Sequence, residues 1–474
     1  MKLKPIFLAV AFGVLGGCNM APKTAHPALP VPEMLSVQGG NFGTSAINPA
    51  ELDWEQYFTE PRLRDVMQLA LDNNRDLRVA LANVAQAHAL YRVQRSDLFP
   101  TLGVDGRASY EDLPGGVAPD VGDTTSGGGR NDIYTARIGV SAWETDLFGR
   151  IKNLSDAALE QYLTSVENRN AVQVALIAEV ATAWLTLAAD QEQLRIALDN
   201  KRAFDQTLAL TRARLAAGIA SKLDVRQAET SFDQARADIA EGITRVNQAR
   251  NALNLLVGTT VGTELLPESL PDTGATLAML PQNLPSETLL RRPDIVAAEH
   301  QLRAANANIG AARAAYFPTL SLTTAFGTMS PDFSGLFDSG SDYWSAAPAI
   351  SVPIFNFGRN RANLRYSEAT YDAMLARYEH AIQTGFREVA DALARRRTID
   401  AQLEAQTSLH DAARGAYRLS EERFLAGIDS FLTTLDSQRT LYNAERSLLT
   451  ARAIREANAV ELYRALGGGL GSMY

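Results

Sequence analysis

Five histidines, one cysteine and a few aspartates beside glycines are the residues from which this chain could build chemistry. His26, His88, His300, His380 and His410 lie far apart, and no two stand at the i, i+4 spacing of helical metal ligands. The single cysteine, Cys18, excludes an intrachain disulfide and a cysteine-based metal site. No nucleophile–base pair, phosphate loop or metal cluster can be assembled. The expectation is a protein that is no enzyme and takes no cofactor. Asp224 follows Ala217-Gly218-Ile219, and Asp429 and Asp436 follow Ala426-Gly427-Ile428. Carboxylates gathered at turns attract cations, repel one another or cap helices. Which of these applies depends on the elements that carry them.

The chain has 474 residues, a formal charge of -9 and no Lys/Arg run longer than the three residues Arg395–Arg397, so nucleic acid is not an expected partner. Lys2 and Lys4 precede an apolar run, Ile6 to Leu15, that is too short to span a bilayer. Leu15-Gly16-Gly17-Cys18 then resembles a bacterial lipobox, with Gly16 a less usual choice in its slot. That resemblance implies removal of residues 1–17 and acylation of Cys18 on thiol and amine, which moves the side-chain charge from -9 to -11. Several acyl chains anchor stably where one does not. Asn19 stands where Asp would suggest inner-membrane retention, which points to outer-membrane lipid. No other stretch has 18 uninterrupted apolar residues, so a further membrane crossing must be a barrel.

The chain repeats itself. Phe-Pro-Thr-Leu occurs at 99–102 and again 218 residues later at 317–320. Phe148-Gly149-Arg150 and Phe357-Gly358-Arg359 are 209 apart, as are Ala217-Gly218-Ile219 and Ala426-Gly427-Ile428, and Gly258 and Gly467. The nine-residue difference falls between the first two motifs and is expected in the Gly/Asp/Thr-rich loop Pro114 to Arg130. A tandem duplication of about 210 residues is the simplest account.

Each copy has one grammar. A helix over Asp76–Asp97, or Pro293–Tyr316, is stopped by Phe-Pro. Two strands follow. A helix of about 67 residues then runs from Ile151 to Ala217, or Asn360 to Ala426, and ends at Gly218 or Gly427. A return helix covers Lys222–Val257, or Phe431–Leu466. At 1.5 Å per residue the long helix spans about 100 Å. Ala171, Ala175, Ala178, Ala181 and Ala188 allow close helix packing on it. The expected boundaries are a signal peptide at 1–17 and an acylated, proline-rich extended tether at 18–60. The first repeat covers 61–258, a linker 259–285, the second repeat 286–467, and a tail 468–474.

The strands alternate. Leu102, Val104, Ala108 and Tyr110 oppose Asp105 and Arg107. Tyr134, Ala136, Ile138, Val140 and Ala142 oppose Thr135, Arg137 and Ser141. In the second repeat Leu320, Leu322 and Phe326 share a face, as do Ile350, Val352 and Ile354, with Tyr343 and Trp344 placed for an aromatic girdle. Dyad alternation over about ten residues is the transmembrane barrel pattern. Four strands cannot close a barrel, so several chains must share one; three give twelve strands, and four would also close.

Several longer motifs are more specific: RRPDIVAAEHQLRAANANIGAARAAYFPTLSL (Arg291–Leu322), VPIFNFGRNRANL (Val352–Leu364), AGIDSFLTTLDSQRTLYNAE (Ala426–Glu445) and its weaker copy from Ala217. Together they resemble the outer-membrane efflux protein family, the TolC-like ducts, in their lipoprotein branch of the OprM/NodT type. The resemblance implies an α+β membrane protein with four barrel strands per chain. A trimer closes a 12-stranded β-barrel that continues into a long α-helical periplasmic tunnel. It implies the exit duct of a tripartite pump for drugs or small solutes, with a periplasmic adaptor and a proton-driven inner-membrane transporter as partners. An exit duct for protein secretion is the alternative on the same fold. It places Ala217, Gly218, Ile219, Ala426, Gly427 and Ile428 at the adaptor-contacting tip. Relatives carry two aspartates three apart past the second turn; here those positions are Thr433 and Asp436, so one carboxylate remains for a gate ring. Asp429 and Asp224 do not match that pair and read as turn residues.

Overall fold

A computed structural model describes residues 19–23, 29–32, 34–36, 53–113, 129–272, 274–276 and 283–468. Cys18 and most of the loop from Pro114 lie outside these residues. The chain divides into two compact units. One comprises Ala85–Thr164 and Glu299–Ala376 with the chain's start; the other comprises Pro27–Val84, Ser165–Ala298 and Arg377–Tyr474.

The first unit holds an antiparallel sheet in the order β2-β3-β5-β6, where β2 is Leu102–Leu113, β3 Gly129–Thr145, β5 Thr319–Ser330 and β6 Asp342–Ser351. The central pair, β3 and β5, comes from different repeats. Directly opposed residues share a face. Val104 opposes Ile138, Ile138 opposes Phe326, and Phe326 opposes Trp344, which makes an apolar row across all four strands. The next row is Asp105, Arg137, Gly327 and Tyr343, with Arg137 Nε 2.7 Å from Asp105 Oδ1. Tyr343 therefore lies on the polar face beside Arg137, and Trp344 alone of that pair lies on the apolar face.

A bulge between Val140 and Trp143 changes the expected alternation in β3. Ala142 adopts φ 48°, and its N–H donates to Thr323 Oγ1 at 3.1 Å. One extra residue resets the parity. Ala142 thus leaves the apolar set, and Trp143 and Thr145 rejoin it opposite Leu322 and Leu320. The nine additional residues of the first repeat are not confined to the hairpin loop either: β3 has 17 residues against 10 in β6. The fourth strand stops at Ser351, short of Val352 and Ile354.

The helices match the expected grammar closely. They are α1 (Trp54–Tyr57), α2 (Pro61–Asn73), α3 (Arg75–Ser96), α4 (Arg150–Ala216), α5 (Lys222–Val257), α6 (Pro293–Ala314), α7 (Arg359–Leu425) and α8 (Phe431–Ala465). Both long helices, α4 and α7, have 67 residues. Each begins after a positive-φ glycine, Gly149 or Gly358. In the first unit His300 Nδ1 on α6 meets Glu160 Oε2 on α4 at 2.5 Å, which joins the two repeats there.

The second unit is helical. Its core gathers Tyr57, Phe58, Leu63, Trp184, Leu253, Val257, Val460 and Tyr463. One window of α4 is long and apolar enough to cross a membrane by composition. In the fold, Val174, Ile177, Val180, Ala181, Trp184 and Ala188 of that helix are buried against the core, so its apolarity serves packing. The segment read as a linker is a packed strap. Val261, Leu266 and Leu270 are buried. Trp184 Nε1 donates to the Leu265 carbonyl at 3.0 Å, and Glu192 accepts from the Leu270 N–H at 3.1 Å and from Arg452 at 3.0 Å. Buried carboxylates, Glu192 on the long helix α4 and Glu456 on the return helix α8, thus satisfy backbone donors that this proline-rich segment keeps out of any ladder. The segment read as an extended tether is likewise laid onto the fold. β1 (Met34–Ser36) pairs with β4 (Asn283–Pro285), Ser286 Oγ donates to the Pro32 carbonyl at 2.5 Å, and α1 buries Tyr57.

Candidate functional site

The two turns that join the long helices to their return helices have the same backbone. Gly218 and Gly427 adopt φ 76° and 77°. Ile219 N–H reaches back to the Arg214 carbonyl and Gly218 N–H to that of Leu215; Ile428 and Gly427 make the same pair of bonds to Arg423 and Phe424. These are Schellman closures, which need a left-handed residue at the position after the cap. A Cβ added at either glycine would meet nothing within 4 Å, so conformation rather than space requires glycine there. Ile219 and Ile428, which close these turns, are each 65% exposed.

The returning helices are capped by serines. Ser221 and Asp224 form a reciprocal capping box, with Ser221 N–H to Asp224 Oδ2 at 2.8 Å and Asp224 N–H to Ser221 Oγ at 3.1 Å. Asp224 is thus a cap. Ser430 Oγ accepts from Thr433 N–H at 3.3 Å and lies 2.9 Å from the Thr433 hydroxyl. Asp429 forms a two-pronged pair with Arg423, at 2.8 and 2.9 Å, across the second turn. Hydrogen bonding from that guanidinium holds the Asp429 carboxyl below its ordinary range. A depressed carboxyl pKa stabilises the turn above the ordinary aspartate range, about 3.9, and that support is lost as pH falls through the depressed value. Hydrogen-exchange protection factors at residues 426–431, with the intrinsic pH dependence divided out, are therefore expected to stay constant from neutral pH down to that range and to fall below it; Asp429→Asn should show the lower protection already at pH 7.

Thr433 and Asp436 lie one turn apart on α8, and both are exposed. The opposite face of the helix buries Phe431, Thr434, Leu435 and Gln438, the first and third of these in a cluster with Phe204, Leu208, Val225 and Phe424. Both sequence-selected gate positions thus sit on the face that this chain leaves uncovered. Among the described residues no side chain bonds the Asp436 carboxylate.

Just below Asp436 are contacts that the sequence reading missed. Arg439 directs Nε and Nη2 to Ser231 Oγ at 3.0 and 2.8 Å. Tyr442 donates its hydroxyl to Asp238 Oδ2 at 2.7 Å. Arg214 lies 4.5 Å over the Phe424 ring. All three tie the first repeat's hairpin, α4–α5, to the second repeat's, α7–α8. Burial, followed by the Asp238 bond, pushes the Tyr442 phenol up, so this tie stays protonated at neutral pH. Asp436, Arg439 and Tyr442 recur every three residues on α8, a spacing visible in the sequence, but nothing in it names partners some 200 residues away.

A sheet with two strands from each repeat, one apolar face and, among the described residues, no partner on either outer edge defines a protomer of a membrane channel. The comparisons with known proteins agree. The model of the outer membrane efflux protein family matches residues 66–259 and 284–468, one block per repeat. The toluene efflux pump outer membrane protein TtgI of Pseudomonas putida is 44% identical over 474 residues, with 99% of both chains covered. The outer membrane protein OprJ of Pseudomonas aeruginosa is 40% identical over 470 residues, covering 97% of this chain and 96% of its own. The open state of the Neisseria gonorrhoeae MtrE outer membrane channel superposes with a TM-score of 0.86 at 37% identity, covering 96% of this chain and 99% of MtrE. This chain belongs to the outer membrane efflux protein family. It is an outer-membrane exit duct for efflux.

Proposed function

We propose that the protein is made with a signal peptide at 1–17, acylated at Cys18, and closes a twelve-stranded barrel as a homotrimer. It receives its cargo from an inner-membrane, proton-driven transporter through a periplasmic adaptor. The adaptor docks on Ala217-Gly218-Ile219 and Ala426-Gly427-Ile428, and the tip is gated at Asp436 and Thr433. The observation that carries this reading is the sheet itself: among the described residues the outer edges of β2 and β6 have no partner, and an apolar row runs between them. Open edges of that kind are stable in a membrane only when other strands close them. The doubled turns, each presenting an exposed isoleucine, support the adaptor assignment. Relatives are named for toluene, solvent and antibiotic efflux, which favours small apolar organic solutes as cargo.

Deletion of the gene is expected to sensitise cells to toluene and to amphiphilic antibiotics, and plasmid-borne protein to restore tolerance. Unchanged tolerance, with a native mass of one chain in detergent, would remove both cargo and trimer. The barrel has its own test. Ile138→Arg puts a charge mid-strand on the apolar face and is expected to cost about 2–4 kcal/mol of membrane stability. Thr135→Arg, on the opposite face of the same strand, should leave heat-modifiable mobility on gels unchanged.

A further inference from the structure

The duplication places two interfaces of the same design in one chain, one made and one open. In the made one, Phe148 of the first repeat's Phe-Gly-Arg motif stacks on Phe317 of the second repeat's Phe-Pro-Thr-Leu motif, with ring centroids 4.7 Å apart and planes 21° apart. Beside that stack β3 runs against β5, with Trp143 opposite Leu322 and Thr145 opposite Leu320. The repeat equivalents of these residues are Phe357 for Phe148 and Phe99 for Phe317. They flank the two outer strands of the sheet and cannot meet within it. Phe357 is 92% and Phe99 63% exposed. Ile354, Val352, Leu102 and Val104 beside them are exposed as well.

We infer that Phe357 of one copy stacks on Phe99 of the next. In the same seam β6 extends beyond Ser351 to set Val352 opposite Val104 of the next copy and Ile354 opposite its Leu102. The register is that of Trp143 on Leu322 and Thr145 on Leu320, carried over by the repeat. This rests on the shared-barrel reading above and adds the residues and register of its seam. Three features support it. The period-two apolar pattern of Ile350, Val352 and Ile354 runs past the end of β6, as a strand without its partner would leave it. Val352 and Ile354 keep the parity of Trp344 and Ile350, so the apolar face would continue unbroken across the seam. Pro353 would oppose Gly103 of the next copy, and a Cβ at Gly103 meets nothing within 4 Å in the single chain, which leaves room for the proline ring. Phe357 itself holds φ 52° ahead of Gly358 at 83°, a strained backbone for a side chain of this size, and its ring meets Phe355 of the same segment with centroids 4.6 Å apart, so the next copy's Phe99 would join that pair.

Paired cysteines test the register, because the only native cysteine is Cys18. Val104→Cys with Val352→Cys, and Leu102→Cys with Ile354→Cys, are expected to give covalent dimers and trimers on non-reducing gels, since opposed residues lie within disulfide reach. Val104→Cys with Ile354→Cys, a two-residue slip, should give at least tenfold less. Preference for the slipped pair, or no cross-link in a protein that still runs as a trimer, overturns this seam and leaves the trimer standing. A protein that is monomeric throughout overturns the barrel reading itself. The stack is read separately through subunit dissociation in detergent. Phe99→Ala and Phe357→Ala should each speed it about tenfold, and the double variant no further than either single one. Multiplying effects would overturn the stack. Phe148→Ala, whose contact lies within the chain, should leave dissociation unchanged.

Discussion

Arg292→Ala is expected to destabilise the protein by about 3 kcal/mol, the low end of the range for breaking one side of a buried ion pair. The Arg292 side chain is 6% exposed and every face of its guanidinium is engaged. Nη2 donates to Asp294 at 2.7 Å and to Glu388 at 2.9 Å, Nε donates to Asp294 at 3.1 Å, and Nη1 donates to the Ala465 carbonyl at 2.5 Å. One side chain thus binds the start of α6, the middle of α7 and the last turn of α8, where a cation also suits the helix dipole. The slot is cut to fit. A Cβ on Gly385 would come within 3.3 Å of the Arg292 guanidinium carbon, and one on Gly467 within 3.1 Å of its Cγ. Removal strands the mostly buried Glu388, whose remaining partner, Arg464, is 3.6 Å away. Asp294 is half exposed and can turn to water, which is why the low end is expected. Arg292→Lys keeps the charge without the planar fork and should fall between. Urea unfolding of the detergent-solubilised protein measures this. A loss under about 1 kcal/mol for Arg292→Ala would show that the three helices hold together without the ion cluster.

Elements whose limits are local chemistry were legible in the sequence. Gly218, Gly427 and the two Phe-Gly-Arg motifs bracket both 67-residue helices to within a residue, because a left-handed glycine and a helix start are properties of the few residues that form them. The strands were legible as alternation, and the pairing of repeats as duplication. What escaped reading is non-local. The β3 bulge rests on Ala142, which has no conformational signature of its own; a glycine there would have announced the turn. Tyr343 and Trp344 read together as girdle aromatics, whereas pairing sets them on opposite faces, with Trp344 alone on the apolar one. The strap after Gly258 looked like a linker for its prolines, yet Glu192 and Glu456 on distant helices take up its free N–H groups. At the turns, glycines, caps and Asp436 were visible, whereas Ser231 and Asp238 became part of the site only when the fold brought two helices from different repeats together.

Asp436→Ala is expected to raise single-channel conductance in planar bilayers several-fold and to abolish whatever cation preference the channel shows. In the proposed trimer three Asp436 carboxylates meet on the uncovered faces of α8, where they repel each other and concentrate cations. An alanine removes both the bulk and the charge. The ties below are expected to act on opening alone, apart from that ring. Tyr442→Phe removes the hydroxyl that donates to Asp238, and Ser231→Ala removes the acceptor that Arg439 grips. A hydrogen bond to a charged group contributes about 1.5–3 kcal/mol, so each lost tie shifts a closed-to-open equilibrium by tenfold or more per copy. These variants should therefore raise the open probability while the Asp436 ring, still present, keeps the cation preference. Open probability and reversal potential in a salt gradient distinguish the two predictions in one recording. If Tyr442→Phe and Ser231→Ala leave open probability at the wild-type value, the hairpin ties are structural and opening proceeds with them intact. If Asp436→Ala leaves both conductance and reversal potential unchanged, the narrowest point of the duct lies elsewhere along α8, and Asp436 has no part in the gate.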